Sequence, residues 1–269
     1  MIKKRILALG LCLLLCLVSG CTTEKRAAEP KTLVVFAAAS LTETLTELGD
    51  RYMAEHKDVK LVYNFDSSGT LQRQIAEGAA CDVFLSAGQK QMNALEGKDG
   101  AKGSLLLDGS RFNILENKVV LAVPQGNPKQ LQSYRDLAAR LGGEKILLAI
   151  GNADVPVGQY TLKLLKFFGL DEKALAEGGK ITYGSNVKEV TTQVSEGVVD
   201  AGIVYQTDAA AAKLVAVDTA TSEMCGQVIY PAAILKATQQ QAEAKAYLAF
   251  LQSPAAEEVF RKAGFTPLK

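Results

Sequence analysis

Short apolar runs alternate with stretches of helical periodicity along the chain, and this alternation limits the folds that it can adopt. Leu33–Ala38 has the length and composition of a buried strand, and apolar residues from Leu41 to Tyr52 then recur at helical spacing. Lys60–Phe65 and Asp82–Ser86 are the next predicted strands, with a short helix between them. The alternation predicts an α/β protein whose mixed or parallel sheet is covered by helices.

The same pattern continues through the middle and the end of the chain. Further strands are predicted at Lys118–Val123, Lys145–Ile150, Ala201–Tyr205 and Gln227–Leu235. Further helices are predicted at Pro156–Gly169, Val187–Gly197, Asp208–Lys213, Gln240–Leu251 and Pro254–Ala263. A chain of 269 residues is long enough for two lobes of ordinary domain size.

The N-terminus has the features of an export signal. A positive segment, Lys3–Arg5, precedes the apolar run Ile6–Val18, which is too short to span a bilayer comfortably. The run ends in Val-Ser-Gly-Cys, which resembles a bacterial lipobox. This predicts a signal peptide at 1–20, a lipid on Cys21 and a flexible tether over 21–32. A plain signal peptide or a membrane anchor is the alternative. We expect the mature protein outside the cytoplasmic membrane, anchored to it by its lipid.

Composition and motifs argue against several classes of function. The net charge is +1 and no basic stripe is present, so we expect no nucleic-acid partner. The single histidine, His56, disfavours a histidine-based metal site. Nucleophile elbows, zinc-binding motifs and Walker-type glycine loops are missing from the sequence, so we do not expect an enzyme.

If the N-terminus is a lipoprotein signal, only two of the five cysteines remain available as thiols in the mature protein. Cys12 and Cys16 leave with the signal peptide, and Cys21 carries the lipid. Cys81 and Cys225 remain and could pair in an exported protein. We favour two buried free thiols, although sequence spacing does not decide between the alternatives.

Four predicted strand-to-helix junctions begin with small or hydroxyl residues: Ala39–Leu41, Ser67–Thr70, Pro156–Gly158 and Ser185–Val187. A helix N-terminus presents free N–H groups and the positive end of a dipole, so converging junctions would bind an anion without a cationic side chain. The alternative is simple capping. Ser40 and Glu43 have the spacing of a capping box, and each junction by itself fits a structural cap.

Several motifs together resemble the molybdate-binding proteins of ABC-type molybdate uptake systems. The matching segments are VFAAASLT, NFDSSGTLQRQIAEGAACDVFLSAGQKQM, VPVGQY, DAGIVYQTDA and YPAAIL, in that order, and the resemblance runs from Leu33 to the C-terminus. It implies a type II periplasmic-binding fold, in which two α/β lobes are joined by two crossover strands. Lobe 1 would comprise residues 33–112 plus 231–269, and lobe 2 residues 113–230.

The resemblance also implies a binding site. Ser40 and Ser68 would donate to the oxyanion through hydroxyl and backbone N–H groups, Val157 and Val187 through the backbone, and Tyr205 through its hydroxyl. The ligand would be molybdate or tungstate, with molybdenum present only inside the oxyanion and without a direct protein ligand. No cofactor is implied. The implied partner is a membrane-embedded ABC permease, and we expect a monomer.

Two positions depart from the family pattern. The loop before Val157 is one residue shorter than usual, and Asp66 stands where a small residue is common. A carboxylate repels a dianion, so we expect Asp66 to point into solvent. If it faced the cleft, it could accept a hydrogen bond from a protonated anion. Phosphate would then become more plausible. The alternative ligand is sulfate, phosphate or another small tetrahedral oxyanion.

Overall fold

The computed structural model describes residues 29–97, 103–143 and 146–268. Within these ranges strands β1 to β11 are, in chain order, Lys31–Ala38, Val59–Asp66, Val83–Leu85, Phe112–Asn117, Val119–Val123, Leu148–Gly151, Ile181–Gly184, Ala201–Tyr205, Val215–Thr219, Val228–Ile234 and Thr266–Pro267. Helices α1 to α11 are Thr42–Glu55, Ser68–Ala76, Gln89–Glu96, Tyr134–Leu141, Pro156–Phe167, Glu172–Glu177, Val187–Ser195, Gln206–Ala211, Ser222–Cys225, Gln241–Leu251 and Pro254–Ala263.

None of these helices, in the part of the chain that the structure describes, is long and apolar enough to cross a membrane. The predicted signal peptide at 1–20, the lipid site at Cys21 and most of the predicted tether lie outside the described residues. The end of that tether belongs to the fold, because β1 begins at Lys31, two residues before its predicted start.

The strands form two mixed sheets. The six-stranded sheet has the order β11-β4-β10-β3-β1-β2, and the five-stranded sheet has the order β7-β6-β8-β5-β9. In the first sheet β1 runs parallel to β2 and β3, whereas β10 is antiparallel to β3 and β4. In the second, β6 runs parallel to β7 and β8, and β5 is antiparallel to β8 and β9. We call each sheet with its helices the first and the second lobe. The predicted architecture of two α/β lobes is confirmed.

Two segments carry the chain between the lobes. Only Lys118 separates β4 in the first sheet from β5 in the second. The chain returns between β9 and β10, through α9. The predicted boundaries at 112/113 and 230/231 therefore fall inside β4 and β10, which both pair within the first sheet. The strand pairing places the changes of lobe at residue 118 and between residues 219 and 228.

The predicted apolar faces are the faces that the fold buries. Leu45, Leu48 and Tyr52 of α1 are all at most 2% exposed and pack in the core of the first lobe. Burying each such side chain stabilises the fold by about 1.5–3 kcal/mol. Strand β8 and helix α11 have the predicted bounds, and the other predicted elements differ from the observed ones by a few residues.

Pro231 lies within β10, where a proline would normally interrupt the ladder. The pairing with β4 shifts register between Tyr230 and Pro231, so a bulge accommodates the residue that has no N–H. The Pro231 carbonyl still accepts a hydrogen bond from the Ser86 N–H at 3.0 Å.

Cys81 and Cys225 are buried free thiols, which is the alternative that the sequence analysis favoured. Burial raises the pKa of the Cys81 thiol to about 12. Burial also raises the pKa of Cys225. Both groups are therefore protonated thiols near neutral pH, and neither has the thiolate character that a reactive cysteine needs.

Candidate functional site

The strand-to-helix junctions singled out in the sequence lie at the carboxyl ends of parallel strands. In the first lobe β1 leads through a single 3-10 turn, Ala39–Leu41, into α1, and β2 leads into α2. In the second lobe β6 leads into α5 and β7 into α7. Ligands of open α/β sheets bind at this end of the strands, because the following helices point their N-termini there.

Residues from all four junctions surround one small cavity between the lobes, with a volume of about 10 Å³. It is lined by Ala38, Ala39, Ser40, Asp66, Ser67, Ser68, Ala87, Val155, Pro156, Val187 and Tyr205. Four of the five residues named in the sequence analysis are among them. Val157 is not, although its neighbours Val155 and Pro156 are. Among the described residues, no lysine, arginine or histidine lines this cavity, so hydroxyl and backbone groups supply its hydrogen-bond donors.

Ser68 is fully buried at the start of α2, and Ser67 rather than Ser68 caps that helix. The Ser67 hydroxyl accepts from the Thr70 N–H at 3.1 Å. The Ser68 hydroxyl instead accepts from the Ala87 N–H at 2.9 Å. Because an oxygen that accepts this bond directs its own proton elsewhere, Ser68 presents a hydroxyl donor at the cavity.

Tyr205 ends β8 and lies on the second-lobe side of the cavity. Its hydroxyl donates to the Ala87 carbonyl at 3.4 Å, a long hydrogen bond that joins the two lobes. Burial raises the pKa of the Tyr205 hydroxyl well above its ordinary value. The group is therefore a neutral hydrogen-bond donor over the physiological pH range.

Ser40 does not form the capping box that its spacing with Glu43 suggests. In the described part of the chain, no side chain caps the 3-10 turn or α1. The buried Ser40 hydroxyl lies 2.8 Å from the Tyr230 hydroxyl, and Glu43 bonds to Lys188 of the second lobe. The box fails because the 3-10 turn places Ser40 two residues before the first residue of α1. Both side chains are thereby free for other contacts.

Val187 is the first residue of α7 and is buried. Asn186 caps this helix by accepting from the Glu189 N–H at 3.1 Å. The cap satisfies one N–H of the first turn, that of Glu189. Val187 comes earlier in the same turn and lines the cavity, and its N–H has no partner within the helix. At this junction, a side-chain cap and a helix N-terminus that borders the cavity occur together.

Asp66 does not point into solvent as expected. It is half-buried and lines the cavity. Its Oδ1 accepts from the Ser67 N–H at 2.6 Å and lies 3.5 Å from Nδ2 of Asn186. These two amide donors explain why the carboxylate turns inward, because they partly compensate for its loss of water. The cavity therefore contains one acidic group among its hydrogen-bond donors.

The two lobes touch around the cavity. Gly69 approaches the Asp154 carbonyl so closely that a Cβ atom at this position would lie 2.2 Å from its oxygen. Arg73 of α2 pairs with the Asp154 carboxylate at 2.7 Å. Glu43 of α1 bonds through both oxygens to Lys188 of α7, at 2.8 Å each. These contacts hold the lobes together on two sides of the site.

Lys188 also lies 3.1 Å from Oδ1 of Asp208, whose side chain is fully buried in α8. Burial raises the pKa of Asp208 to about 6, although Lys188 opposes this shift. Glu43, Lys188 and Asp208 follow Ser40, Val187 and Tyr205 by three residues or fewer. This ionic cluster therefore connects three of the elements that form the cavity.

The sequence analysis did not assign several of the lining residues. Ala87 is the most informative, because its N–H bonds to Ser68 and its carbonyl accepts from Tyr205. It lies in the segment LSAGQKQM, which the sequence analysis quoted without giving it a role. Ala38 and Val155 have no chemical signature of their own and are found only from their position beside the junctions.

Two α/β lobes, joined by two crossover segments and enclosing a cavity lined by hydrogen-bond donors, define a two-lobe binding protein for a small solute. Residues 33–266 match the family model of bacterial extracellular solute-binding proteins. The chain belongs to this family.

Individual relatives and solved structures give a more specific comparison than the family model. The chain is 36% identical to a putative ABC transporter substrate-binding lipoprotein, YvgL, of Bacillus subtilis, and the match covers 93% of each chain. It is 32% identical to the molybdate-binding protein ModA of Escherichia coli, over 87% of this chain and 88% of that protein. Among solved structures, the periplasmic molybdate-binding protein of Azotobacter vinelandii matches with a TM-score of 0.73 and 25% identity, over 88% of this chain and 100% of that one.

Proposed function

We propose that this protein binds molybdate between its two lobes, outside the cytoplasmic membrane, and delivers it to an ABC permease. Tungstate has the same charge and nearly the same size, so it is expected to bind similarly. The protein acts by binding and not by catalysis. Relatives named as molybdate-binding proteins at 32% and 25% identity support the choice of ligand.

The observation that carries the proposal is the convergence of four strand-to-helix junctions on a cavity without a cationic side chain. Molybdate at neutral pH has two negative charges and no proton, so it needs only donors. Helix N-termini and hydroxyls supply these donors, and charge-assisted hydrogen bonds contribute about 1.5–3 kcal/mol each. Several such bonds are sufficient for micromolar to nanomolar affinity, about −8 to −12 kcal/mol.

The proposed donors are the hydroxyl and backbone N–H groups of Ser40 and Ser68, the N–H groups of Val157 and Val187, and the hydroxyl of Tyr205. Val157 is included although it does not line the cavity. Pro156 stands in front of it and has no N–H, so the first donor of α5 belongs to Val157. Tyr205 would exchange its long bond to the Ala87 carbonyl for a bond to the anion.

Asp66 favours a second candidate ligand. A carboxylate in the cavity repels a dianion but accepts a hydrogen bond from a protonated one, and phosphate carries a proton at neutral pH. The second candidate is therefore phosphate or a related protonated oxyanion. Sulfate, which has no proton, gains nothing from Asp66 and must be distinguished from molybdate by size.

Calorimetric titration of the purified protein with molybdate, tungstate, sulfate and phosphate tests the proposal. Calorimetry is suitable because the chain has no tryptophan to report binding. We expect molybdate and tungstate to bind at least about a hundredfold more tightly than sulfate or phosphate, a difference of about 2.7 kcal/mol. Tight phosphate binding without a molybdate response would select the second candidate, and tight sulfate binding alone would reject both.

The location is proposed from the N-terminal sequence and from the relatives. A lipid on Cys21 would hold the protein at the outer face of the membrane, and the relative YvgL is named a lipoprotein. Replacing Cys21 by Ser in the full chain should release the protein from the membrane fraction. If C21S stays with the membrane, the lipid anchor is wrong and the segment at 1–20 holds the protein in another way.

A further inference from the structure

Tyr230 and Asn117 lie behind the cavity and were given no role in binding. Both are buried, Tyr230 at 0% exposure and Asn117 at 4%. Tyr230 belongs to β10 and Asn117 to β4, neighbouring strands of the first sheet. Their polar atoms form a chain of hydrogen bonds that ends at Ser40: Nδ2 of Asn117 lies 3.2 Å from the Tyr230 hydroxyl, which lies 2.8 Å from Oγ of Ser40.

The backbone sets the direction of this chain. Oδ1 of Asn117 accepts from the Lys118 N–H at 2.8 Å, so the other end of the amide must be the NH₂ group. That group donates to Thr207 Oγ1 at 2.9 Å and to the Tyr230 hydroxyl. The Tyr230 oxygen is therefore an acceptor on its Asn117 side.

The proton of Tyr230 then has one destination. Among the described residues, the structure gives the Tyr230 hydroxyl two partners, Asn117 and Ser40. Since Asn117 is the donor in the first contact, Tyr230 must donate in the second. The reverse direction would leave a buried O–H without an acceptor, which is unfavourable. Burial and the nearby Asp208 raise the pKa of Tyr230 well above its ordinary value, so the phenol keeps its proton.

We propose that Tyr230, held by Asn117, is a positioning residue that fixes the Ser40 hydroxyl as a donor toward the anion and thereby disfavours protonated oxyanions. An Oγ that accepts from Tyr230 directs its own proton toward the cavity. It suits the bare oxygen of a dianion and leaves the O–H of a protonated anion without that acceptor. The inference rests on the proposed function, and it adds a selectivity that opposes the effect of Asp66.

Replacing Tyr230 by Phe tests this, because the ring and its packing remain while the donor is lost. The Ser40 hydroxyl can then turn and accept. We expect the Kd for molybdate to rise about three- to tenfold, the range for one oriented neutral hydrogen bond. The affinity for phosphate, measured by competition, should stay the same or increase, so the selectivity for molybdate over phosphate falls.

Tyr247 provides the matched control. It is also fully buried in the first lobe, and its hydroxyl lies 2.8 Å from that of Tyr63 and away from the cavity. Y247F should leave the affinities for molybdate and phosphate within about twofold of the wild-type values, even if its melting temperature changes. A double-mutant cycle gives the sharpest result: in an S40A background, Y230F should have no further effect, because the group that it orients is missing.

Three outcomes would overturn the proposal. They are an unchanged molybdate affinity in Y230F, a parallel weakening of molybdate and phosphate binding, and an equal effect of Y230F in the S40A background. If neither the wild type nor Y230F binds phosphate measurably, the molybdate affinities and the double-mutant cycle with S40A test the proposal. A wild-type protein that binds none of the four oxyanions would refute the proposed function instead, so the two failures are distinguishable.

Discussion

The two halves of the cavity supply hydrogen-bond donors in different ways. The first lobe presents side-chain hydroxyls, from Ser40 and Ser68, next to the carboxylate of Asp66. The second lobe presents mainly the backbone at the starts of α5 and α7, with Tyr205 as its one hydroxyl. Substitution of side chains should therefore change binding in the first half, whereas in much of the second half only the loss of an N–H should do so.

Val187→Pro should have the largest effect. Proline is accepted at the first position of a helix, and Asn186 before it has the extended backbone that proline requires. The change removes one N–H and leaves α7 intact. We expect the Kd for molybdate to rise about 10- to 100-fold, the value of one charge-assisted hydrogen bond, in calorimetric titrations.

The control for this variant is Val187→Ala, which keeps the N–H but trims a buried side chain. V187A should bind molybdate within about twofold of the wild type while unfolding at a lower temperature. If V187A weakens binding as much as V187P, the second lobe binds the anion through its side chains, and the proposed contrast between the two lobes is wrong.

Ser68→Ala should follow, with affinity reduced at least about tenfold. The variant loses a donor to the anion and leaves the buried Ala87 N–H without its acceptor. Ser110→Ala is a matched control, because the Ser110 hydroxyl also accepts from a backbone N–H, that of Ile234 at 3.1 Å, but lies outside the cavity. Unchanged affinity in S68A, with normal folding by circular dichroism, would reject the role of Ser68.

Asp66→Asn should have a smaller effect in the opposite direction. Two like charges about 4 Å apart repel by about 1 kcal/mol even in bulk water, so removing the carboxylate should tighten molybdate binding about three- to tenfold. The amide oxygen can still accept from the Ser67 N–H. Weaker molybdate binding in D66N would show that the carboxylate assists the ligand and would favour a protonated anion.

Glu43→Gln tests the contact that joins the two halves. Direct electrostatics predicts tighter anion binding when a carboxylate near the site is removed. If the Glu43–Lys188 pair stabilises the closed lobes, binding should instead weaken about two- to fivefold, and the difference should shrink at high salt. Glu47→Gln on the same helix is the control, because within the described residues Glu47 pairs with Arg51 one turn away. Tighter binding by E43Q would contradict this role.

The regular elements of the fold were predictable because their periodicity is local. The apolar face of α1 and the strand β8 follow from residue spacing alone. Strands β4, β7, β9 and β11 were not predicted. Strand β9 is half-exposed at the edge of its sheet, and its apolar run Leu214–Val217 directly follows the predicted helix Asp208–Lys213. The lobe boundaries were placed inside β4 and β10 because sequence does not show which sheet a strand joins.

The site was predictable to the extent that it consists of strand-to-helix junctions. Small and hydroxyl residues mark each junction, and resemblance to a known family selected Ser40, Ser68, Val187 and Tyr205, which all line the cavity. The capping box at Ser40 and the outward orientation of Asp66 were wrong. Both depend on what lies opposite the side chain, namely Tyr230 for Ser40 and Asn186 for Asp66.

The amino-acid sequence by itself determined the α/β class, the helix starts and the chemical types of the donors, because these depend on residues that are neighbours along the chain. Only the tertiary structure decided that four helix starts share one cavity, that Asp66 faces it and that the Ser40 and Tyr230 hydroxyls lie within hydrogen-bond distance. Ser40 and Tyr230 are 190 residues apart, and the direction of the hydrogen bond between them depends on a third residue, Asn117. Spacing along the chain carries no information about such contacts, since the strand order of the first sheet brings these partners together.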